Sequence, residues 1–565
     1  MKKSQTTAIA FAILILPSQL IYAGSATWKL DPVTDIWTNS RNWTPATVPN
    51  GPEDVATFAA SNHPAVTFED LVPVELSGIV FSPGASAFTI TEAFGESLTI
   101  SGMGVTNDSG ITQNIVLGQN GKVTFSNNAT AGTDIIYTNN ASTYPGFLLF
   151  YDTSSAGDAT IINNPGLHPN AGFTLFFDSS SAGNAVIINV SETGKDSGGT
   201  QFAGSSTAGA ATIVNKGSGR FAVTSFSEFS TAGTATIINE GSQIAGGSAG
   251  LTTFLGGDDL VSAGNSTIIN YGGAVEGASV ARTNFGYGST AGNSTLIGYG
   301  GRFAGGYISF EYDSDGGTAR IEVFDNAIMT LNYHIGDMTV GSIEGDGKVD
   351  LTGGNLSVGS NNLNTVFQGR IVGDGKLIKI GDGRLVLSGR NFYHGGTQIM
   401  RGEVVVNNRQ GSGTGSGPVA VVSGTLSGRG IISDSVTVDG DGPGNAILSP
   451  GKNAARPQTL TVQGELIFTD QGRYRCGLDS QTALADEVVA GGVTVEGAIF
   501  ELADSNTAVI PPGATFTVID NTSATAISGT FTNLPDGGTI TAGSNTFQAN
   551  YEGGDGNDLT LTVVP

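Results

Sequence analysis

The sequence predicts an all-β chain: a right-handed parallel β-helix, or β-solenoid, with an N-terminal aromatic cap and a C-terminal β-rich region. Three observations predict it. An eight-residue phrase of the form A-G-x-A-T-I-I-N recurs about every 25 residues, a period that marks a stacked repeat array. Glycine accounts for 85 of 565 residues, roughly twice ordinary usage, and has no G-X-Y period. No segment beyond the first 23 residues carries an apolar i, i+3, i+4 stripe, so helices have nothing to build on.

Composition narrows the function classes. Lys plus Arg is 24 and Asp plus Glu is 49, for a net charge of −25, which argues against binding nucleic acid through its phosphates. One cysteine, Cys476, rules out an internal disulfide and a zinc–cysteine cluster. It reads as a buried small hydrophobe rather than a reactive thiol.

Residues 1–23 read as a secretory signal peptide. Lys2 and Lys3 are the positive start, Ala8 to Leu16 is the apolar run, and Pro17 ends it. Cleavage is expected after Ala23. The run is too short to cross about 30 Å of hydrocarbon, and the mature chain has no other apolar run of that length.

Residues 24–110 form the expected cap and first coils. All three tryptophans, Trp28, Trp37 and Trp43, lie here. A solenoid must hide its open first coil, and large aromatic rings suit that task.

Residues 111–340 carry the repeat. AGDATIIN at Ala156 returns at Ala182, Ala208, Ala232, Ala263 and Ala291, with weaker copies at Ala131 and Gly316. The glycine of the phrase falls at Gly132, Gly157, Gly183, Gly209, Gly233, Gly264, Gly292 and Gly317, and its widest interval separates Gly233 from Gly264. A second apolar run, such as Phe147 to Phe150 or Phe173 to Phe177, falls between copies. A-T-I-I is short and β-branched, and turn residues bracket it, so each unit is one coil with two or three short strands. Alternation puts Ile161, Ile187, Ile213, Ile237, Ile268 and Leu296 in one row. Ile162, Ile188, Val214, Ile238, Ile269 and Ile297 form a second row facing the opposite way. One row fills the core; the other is either exposed as a sticking surface or covered at a corner. Asn163, Asn189, Asn215, Asn239 and Asn270 are expected to stack at a bend in left-handed geometry, with amides bonded coil to coil.

Residues 341–470 differ. Positions 367–391 read FQGRIVGDGKLIKIGDGRLVLSGRN and 392–404 read FYHGGTQIMRGEV. This resembles the autotransporter-associated β-strand repeat, GxGxLxKxGxGxLxLxGxNxYxGGTxIxxGxL. Gly373, Gly375, Leu377, Lys379, Gly381, Gly383, Leu385, Leu387, Gly389, Asn391, Tyr393, Gly395, Gly396, Thr397, Ile399 and Gly402 match it, and Val404 stands for the last Leu. The stretch from Ser423 to Phe468 is similar to the membrane-proximal part of such passengers, and that from Asp486 to Leu502 to the strand pair that follows there. Trp28, Trp37, Asn42, Trp43, Pro49, Asp54 and Phe58 resemble the start of secreted members. The resemblance implies an autotransporter passenger-like protein. It lacks one family feature: residues 471–565, the C-terminal β-rich region, read as short strands and turns and not as a membrane barrel of at least eight strands. The expectation is therefore a chain that is released, held by another protein, or truncated relative to a longer one.

Candidate chemistry is sparse. Lys195, Asp196, Ser197, Gly198 and Gly199 are similar to the nucleophile loop of chymotrypsin-like proteases, but Lys195 replaces the Gly before Asp, and His63 and His168 are each followed by Pro. A turn is the simpler reading. Gly246 to Gly250 fits G-x-S-x-G, which needs a strand before it and a helix after. Asp258 and Asp259, in the longest gap between repeats, are the best acidic pair. Paired carboxylates can hydrolyse a glycosidic bond, and polygalacturonases are β-helices with such a pair. The Gly-His-Gly and Arg-Ile-Lys of that family are not met, since His394 follows Tyr393 and Arg320-Ile321 precedes Glu322. Gly553 to Leu559 looks like one calcium-binding nonapeptide, alone and with its apolar residue one place early, so a tight turn is the default.

The sequence thus predicts a non-enzymatic, exported β-solenoid, structural or adhesin-like. No catalytic, cofactor-binding or metal-ligating residues are assigned. The expected partners are cell-surface or matrix components, a polysaccharide or further copies of the chain. Nucleic acid is not among them, and the mature chain has no transmembrane segment. The expected location is extracellular or at the cell surface, held to the outer membrane by another component, with the periplasm less favoured. The alternatives are a carbohydrate-active β-helix enzyme and the passenger fragment of a larger autotransporter.

Overall fold

The computed structural model describes residues 24–565 except 70–71, 93–94, 96, 141–143, 168–169, 258–259, 441, 443–444 and 452–455. The expected leader, His168 and the Asp258–Asp259 pair lie outside the described residues.

The chain winds into a parallel β-solenoid. Each repeat coil gives one strand to each of two long sheets. Phe147–Phe150, Phe173–Phe176, Gly199–Phe202, Ala222–Ser227, Gly250–Leu255, Arg282–Gly286 and Tyr307–Tyr312 stack in the first sheet, all parallel. The A-T-I-I units stack in the second, with Ile161, Ile187, Ile213, Ile237, Ile268 and Leu296 in strict register. Single bridges through Ser155, Ser181, Thr207, Thr231, Ser262 and Thr290 tie the remaining side of the coil. Backbone groups are thereby paired between coils, as burial demands. The repeated glycine is required at this approach: Gly209 has φ +59°, and a Cβ there would lie 2.7 Å from the carbonyl oxygen of Gly183.

Three columns fill the interior of the repeat. The Ile161 row is fully buried. Beside it, Phe125, Phe150, Phe176, Phe202, Phe226, Phe254, Phe285 and Phe310 stack ring on ring. Their centroids are 4.6–5.1 Å apart and successive planes lie within 10° of parallel. The third column is an amide ladder. Asn163 Nδ2 donates to Asn189 Oδ1 at 2.8 Å, Asn189 to Asn215 at 2.7 Å, Asn215 to Asn239 at 2.7 Å and Asn239 to Asn270 at 2.8 Å. Each of these acceptor oxygens also takes a bond from the hydroxyl of Thr200, Thr224, Thr252 or Thr283 on its own coil, at 2.9–3.0 Å.

The coil-to-coil amide bonds match expectation, but the bend does not. These asparagines close extended strands inside the core and are fully buried, with no left-handed backbone. Burial explains the choice of Asn: an amide carries both donor and acceptor, so one residue type can satisfy itself along a stack. The ladder has a direction, and its ends show it. Asn139 Oδ1 at one end and Asn270 Nδ2 at the other are buried without a partner, the latter because Gly298 occupies the next position.

From Met338 onward the coil is remodelled. A third parallel sheet begins with Met338–Val340 and continues through Leu356–Val358, Leu377–Lys379, Thr397–Ile399, Val419–Val421, Val436–Val438 and Leu466–Phe468. The register partners Leu356, Leu377, Thr397, Val419 and Val436 follow one another more closely in sequence than the repeat glycines do, so these coils are shorter than the repeat coils. Leu377, Leu385, Leu387, Tyr393 and Ile399 point inward and are buried, as the alternation requires. So is Lys379, whose Nζ donates to the carbonyls of Ile380, Gly381 and Arg401. Burial lowers its pKa to about 8, against the pull of Asp382.

Both ends are closed. Trp28, Trp37 and Trp43 are buried, with Trp28–Trp43 at 5.0 Å and Trp37–Trp43 at 4.9 Å in edge-to-face contact over Phe58. At the far end Thr515–Asn521, Asp558–Val564, Asn545–Gly553 and Thr539–Ala542 pair antiparallel. This hairpin region pairs onto Thr515–Asn521, the last parallel strand of its sheet, and covers that edge. Cys476 is buried there, its thiol 3.4 Å from the Asp486 carbonyl, and burial pushes its pKa up.

Candidate functional site

The second aliphatic row faces out. Ile162, Ile188, Val214, Ile238, Ile269 and Ile297 are half-buried, not tucked into a corner. Their strands lie in the middle of a sheet whose other face holds the core, so the alternation of a strand leaves them at the surface. A second outward row runs parallel to it: Thr160, Val186, Thr212, Thr236, Thr267 and Thr295. Continuing in register, Ile136 and Thr138, Asn114 and Val116, and Thr89 and Thr91 extend the same strip. Nine successive coils thus present two rows without a charged side chain. The strip stops at Arg320 and Glu322, where Arg320 bridges Glu322 at 3.0 Å and Glu344 at 2.8 Å. Chemically this is a regular, weakly apolar surface of methyl groups and hydroxyls. It has contact chemistry and no reactive group.

A neighbouring corner carries exposed rings. Tyr287 and Tyr312 stack at 4.1 Å, both with left-handed backbone at φ 45° and 57°. Asn127, Asp152, Asp178 and Glu228 adopt that conformation two positions after their stacked phenylalanines, and Asn and Asp tolerate it better than tyrosine. Aligning the repeats would have revealed this change of residue type, a signal that sequence reasoning did not use.

The motifs at 195–199, 246–250 and 553–559 resolve into structure. Ser197 Oγ donates to the Arg220 carbonyl at 2.9 Å, Asp196 pairs with Arg220 at 3.1 Å, and Lys195 pairs with Glu192 at 2.8 Å. The loop ties itself to the next coil. Ser248 lies just before the strand Gly250–Leu255, so a strand and not a helix follows the G-x-S-x-G match. Gly553 and Asp558 are paired across a hairpin whose turn is the supposed calcium loop, and Asp558 Oδ1 accepts from the Asn521 backbone at 2.9 Å. His394 meets Asp374 at 3.1 Å on the surface. Among the described residues, no group of three or more His, Cys, Asp or Glu side chains is placed to hold a metal ion, and no helix is long and apolar enough to cross a membrane.

No known protein-family profile matches the chain. Over 186 residues, 33% of its length, the chain is 25% identical to the Adhesin BmaC autotransporter of Brucella suis biovar 1 (strain 1330). The matched stretch is 5% of that protein. The crystal structure of the Haemophilus influenzae Hap adhesin aligns with 90% of this chain and 63% of its own, at 11% identity and a TM-score of 0.32.

Proposed function

We propose that the chain is an exported, non-enzymatic β-solenoid that acts at the cell exterior as an adhesin-like surface component. The observation that carries the reading is the uncharged double row repeated over nine coils. Any one coil offers a contact too small to matter, but repeated identical contacts on a stiff scaffold act together through effective concentration. The leader-like residues 1–23 and the partial similarity to an autotransporter adhesin support the exterior location. The motifs at 195–199, 246–250 and 553–559 are spent on turns, strands and coil-to-coil bonds, which supports a binding role over catalysis.

The test is adhesion of the purified chain to immobilised cell-surface and matrix preparations, compared with Ile188→Lys/Ile238→Lys. Both positions face out, so circular dichroism of the variant should match wild type. Retention should fall at least tenfold, because a charge in two coils interrupts the run of cooperating contacts. Unchanged retention by a folded double variant would overturn the reading.

A further inference from the structure

The same outer sheet face continues past the Arg320–Glu344 coil, and there its chemistry reverses. Residues 370–456 contain ten Lys and Arg against six Asp and Glu, a local net charge of +4 in a chain of −25. Across the short coils Val386, Val405 and Ser427 stand in register. Over Val386 and Val405 the surface sinks into a groove of about 380 Å³, lined also by Arg384, Arg429, Arg456 and Asn407. A second groove of about 380 Å³ adjoins it, sharing Asn407 and Arg429 and adding Arg409. Each lies at the small end of the roughly 300–1,000 Å³ usual for ligand sites; joined, they form one trough with four arginines.

Arg220, Arg320, Arg401, Arg473 and Arg475 all sit in ion pairs. Among the described residues Arg384, Arg409, Arg429 and Arg456 make none. Arg384 is next to Glu403 in register, but that carboxylate takes the Ser427 hydroxyl at 2.6 Å, and Arg384 Nε is buried without a partner. Arg429 is held in place through Nε, which donates to Asn407 Oδ1 at 3.0 Å. A guanidinium fork fits a carboxylate or sulfate through paired N–H bonds. The valine floor suits the apolar face of a sugar ring, and Asn407 and Gln458 can bond hydroxyls.

We infer that this trough binds an anionic polysaccharide, one whose sugars carry carboxylate or sulfate groups. Among the described residues its lining holds no paired carboxylates, so the chemistry on offer is binding. The inference rests on side chains that the proposed function does not use, and its test answers whether or not the Ile row adheres.

The experiment is affinity electrophoresis and calorimetry of the full mature chain with polygalacturonate, dextran sulfate and neutral dextran. Wild type should bind at least one of the two polyanions and not dextran, and binding should weaken as salt rises. Arg384→Gln/Arg429→Gln should weaken it at least tenfold, whereas Arg401→Gln, a residue paired with Asp382 outside the trough, should not. Preference between the two polyanions identifies the acidic group. The inference is overturned if neither polyanion binds, if dextran binds equally, if the folded double variant binds like wild type, or if phosphatidylglycerol vesicles bind while both polyanions fail.

Discussion

Two halves of one solenoid solve the same problem by different means. Between positions 111 and 340 the coil is long, as the wide intervals from Gly157 to Gly183 and Gly209 show. Its interior is filled by side-chain columns: Ile on Ile, Phe on Phe, Asn on Asn. Between positions 356 and 436 the coil is shorter, since Leu356, Leu377, Thr397, Val419 and Val436 stack after briefer turns of chain. There glycines let backbones close on one another, and one lysine cation satisfies three carbonyls. The difference extends outside. A periodic interior yields a periodic, uncharged face, which favours many equal contacts. Shorter and less regular coils gather Arg384, Arg429 and Arg456 from distant parts of the sequence around one groove, which favours one distinct site.

The comparison breaks most visibly if the columns are cut. Phe226→Ala removes a ring from between Phe202 and Phe254 and leaves a hole no neighbour can fill. It should cost about 4 kcal/mol in denaturant unfolding monitored by circular dichroism. Phe202→Ala/Phe226→Ala should cost less than the sum of the two singles, because the rings share contacts. Additivity would show that the stack is only a consequence of coil register.

Asn215→Leu comes next. It deprives Asn189 Nδ2 and the Thr224 hydroxyl of an acceptor and Asn239 Oδ1 of a donor. The carbonyl contact of Asn189 and the Thr252 bond to Asn239 survive, so the loss should be about 3 kcal/mol. Asn270→Leu, at the end of the ladder where Nδ2 already has no partner, should cost less. Equal losses at the two sites would refute the directional ladder.

The short-coil half is sharpened by pH. Burial holds the Lys379 pKa at about 8, below its unfolded value near 10.5. Between those values the unfolded chain binds a proton that the folded chain does not. Stability from this group therefore rises with pH across that window, by up to roughly 1.4 kcal/mol per pH unit. Below the folded pKa the burial penalty is present in full. Buried Cys476 titrates in the opposite sense, so the readout is the difference between wild type and Lys379→Met. That difference should climb across the window, and a flat one would show that Lys379 is not desolvated.

Much of this was legible in the sequence. The octapeptide repeat gave strand, period and two opposed aliphatic rows; the alternation in 373–402 gave successive short strands with their turns; three clustered tryptophans gave the cap. What failed was sidedness and column chemistry. Alternation says that Ile161 and Ile162 face opposite ways but not whether a neighbouring element covers Ile162. The phenylalanines keep nearly the spacing of the repeat glycines, but they lie in apolar runs of varied sequence, so the stack was hidden until register aligned them. Asn after Ile-Ile resembled a bend residue because Asn is common in turns, whereas here its paired donor and acceptor were the reason for it. The arginine trough left one trace, a local positive balance in an acidic chain, which whole-chain arithmetic averaged away.

The smallest effect makes the finest test of the two faces, because it separates neighbours in one strand. Ile238→Thr changes an outward residue of the strand Thr236–Asn239 into the type already present in the parallel row. It removes no core contact and leaves its hydroxyl in water, so unfolding free energy should stay within about 0.5 kcal/mol of wild type. Ile237→Thr, one position earlier, buries the hydroxyl among Ile213, Ile268 and the core. It should cost about 3 kcal/mol from lost apolar burial and an unpaired polar group. If Ile238→Thr proves as costly as Ile237→Thr, the outer row is part of the packing and its half-exposure does not make it a contact surface. If it is neutral to folding yet lowers adhesion, the row is retained for what it touches outside the coil.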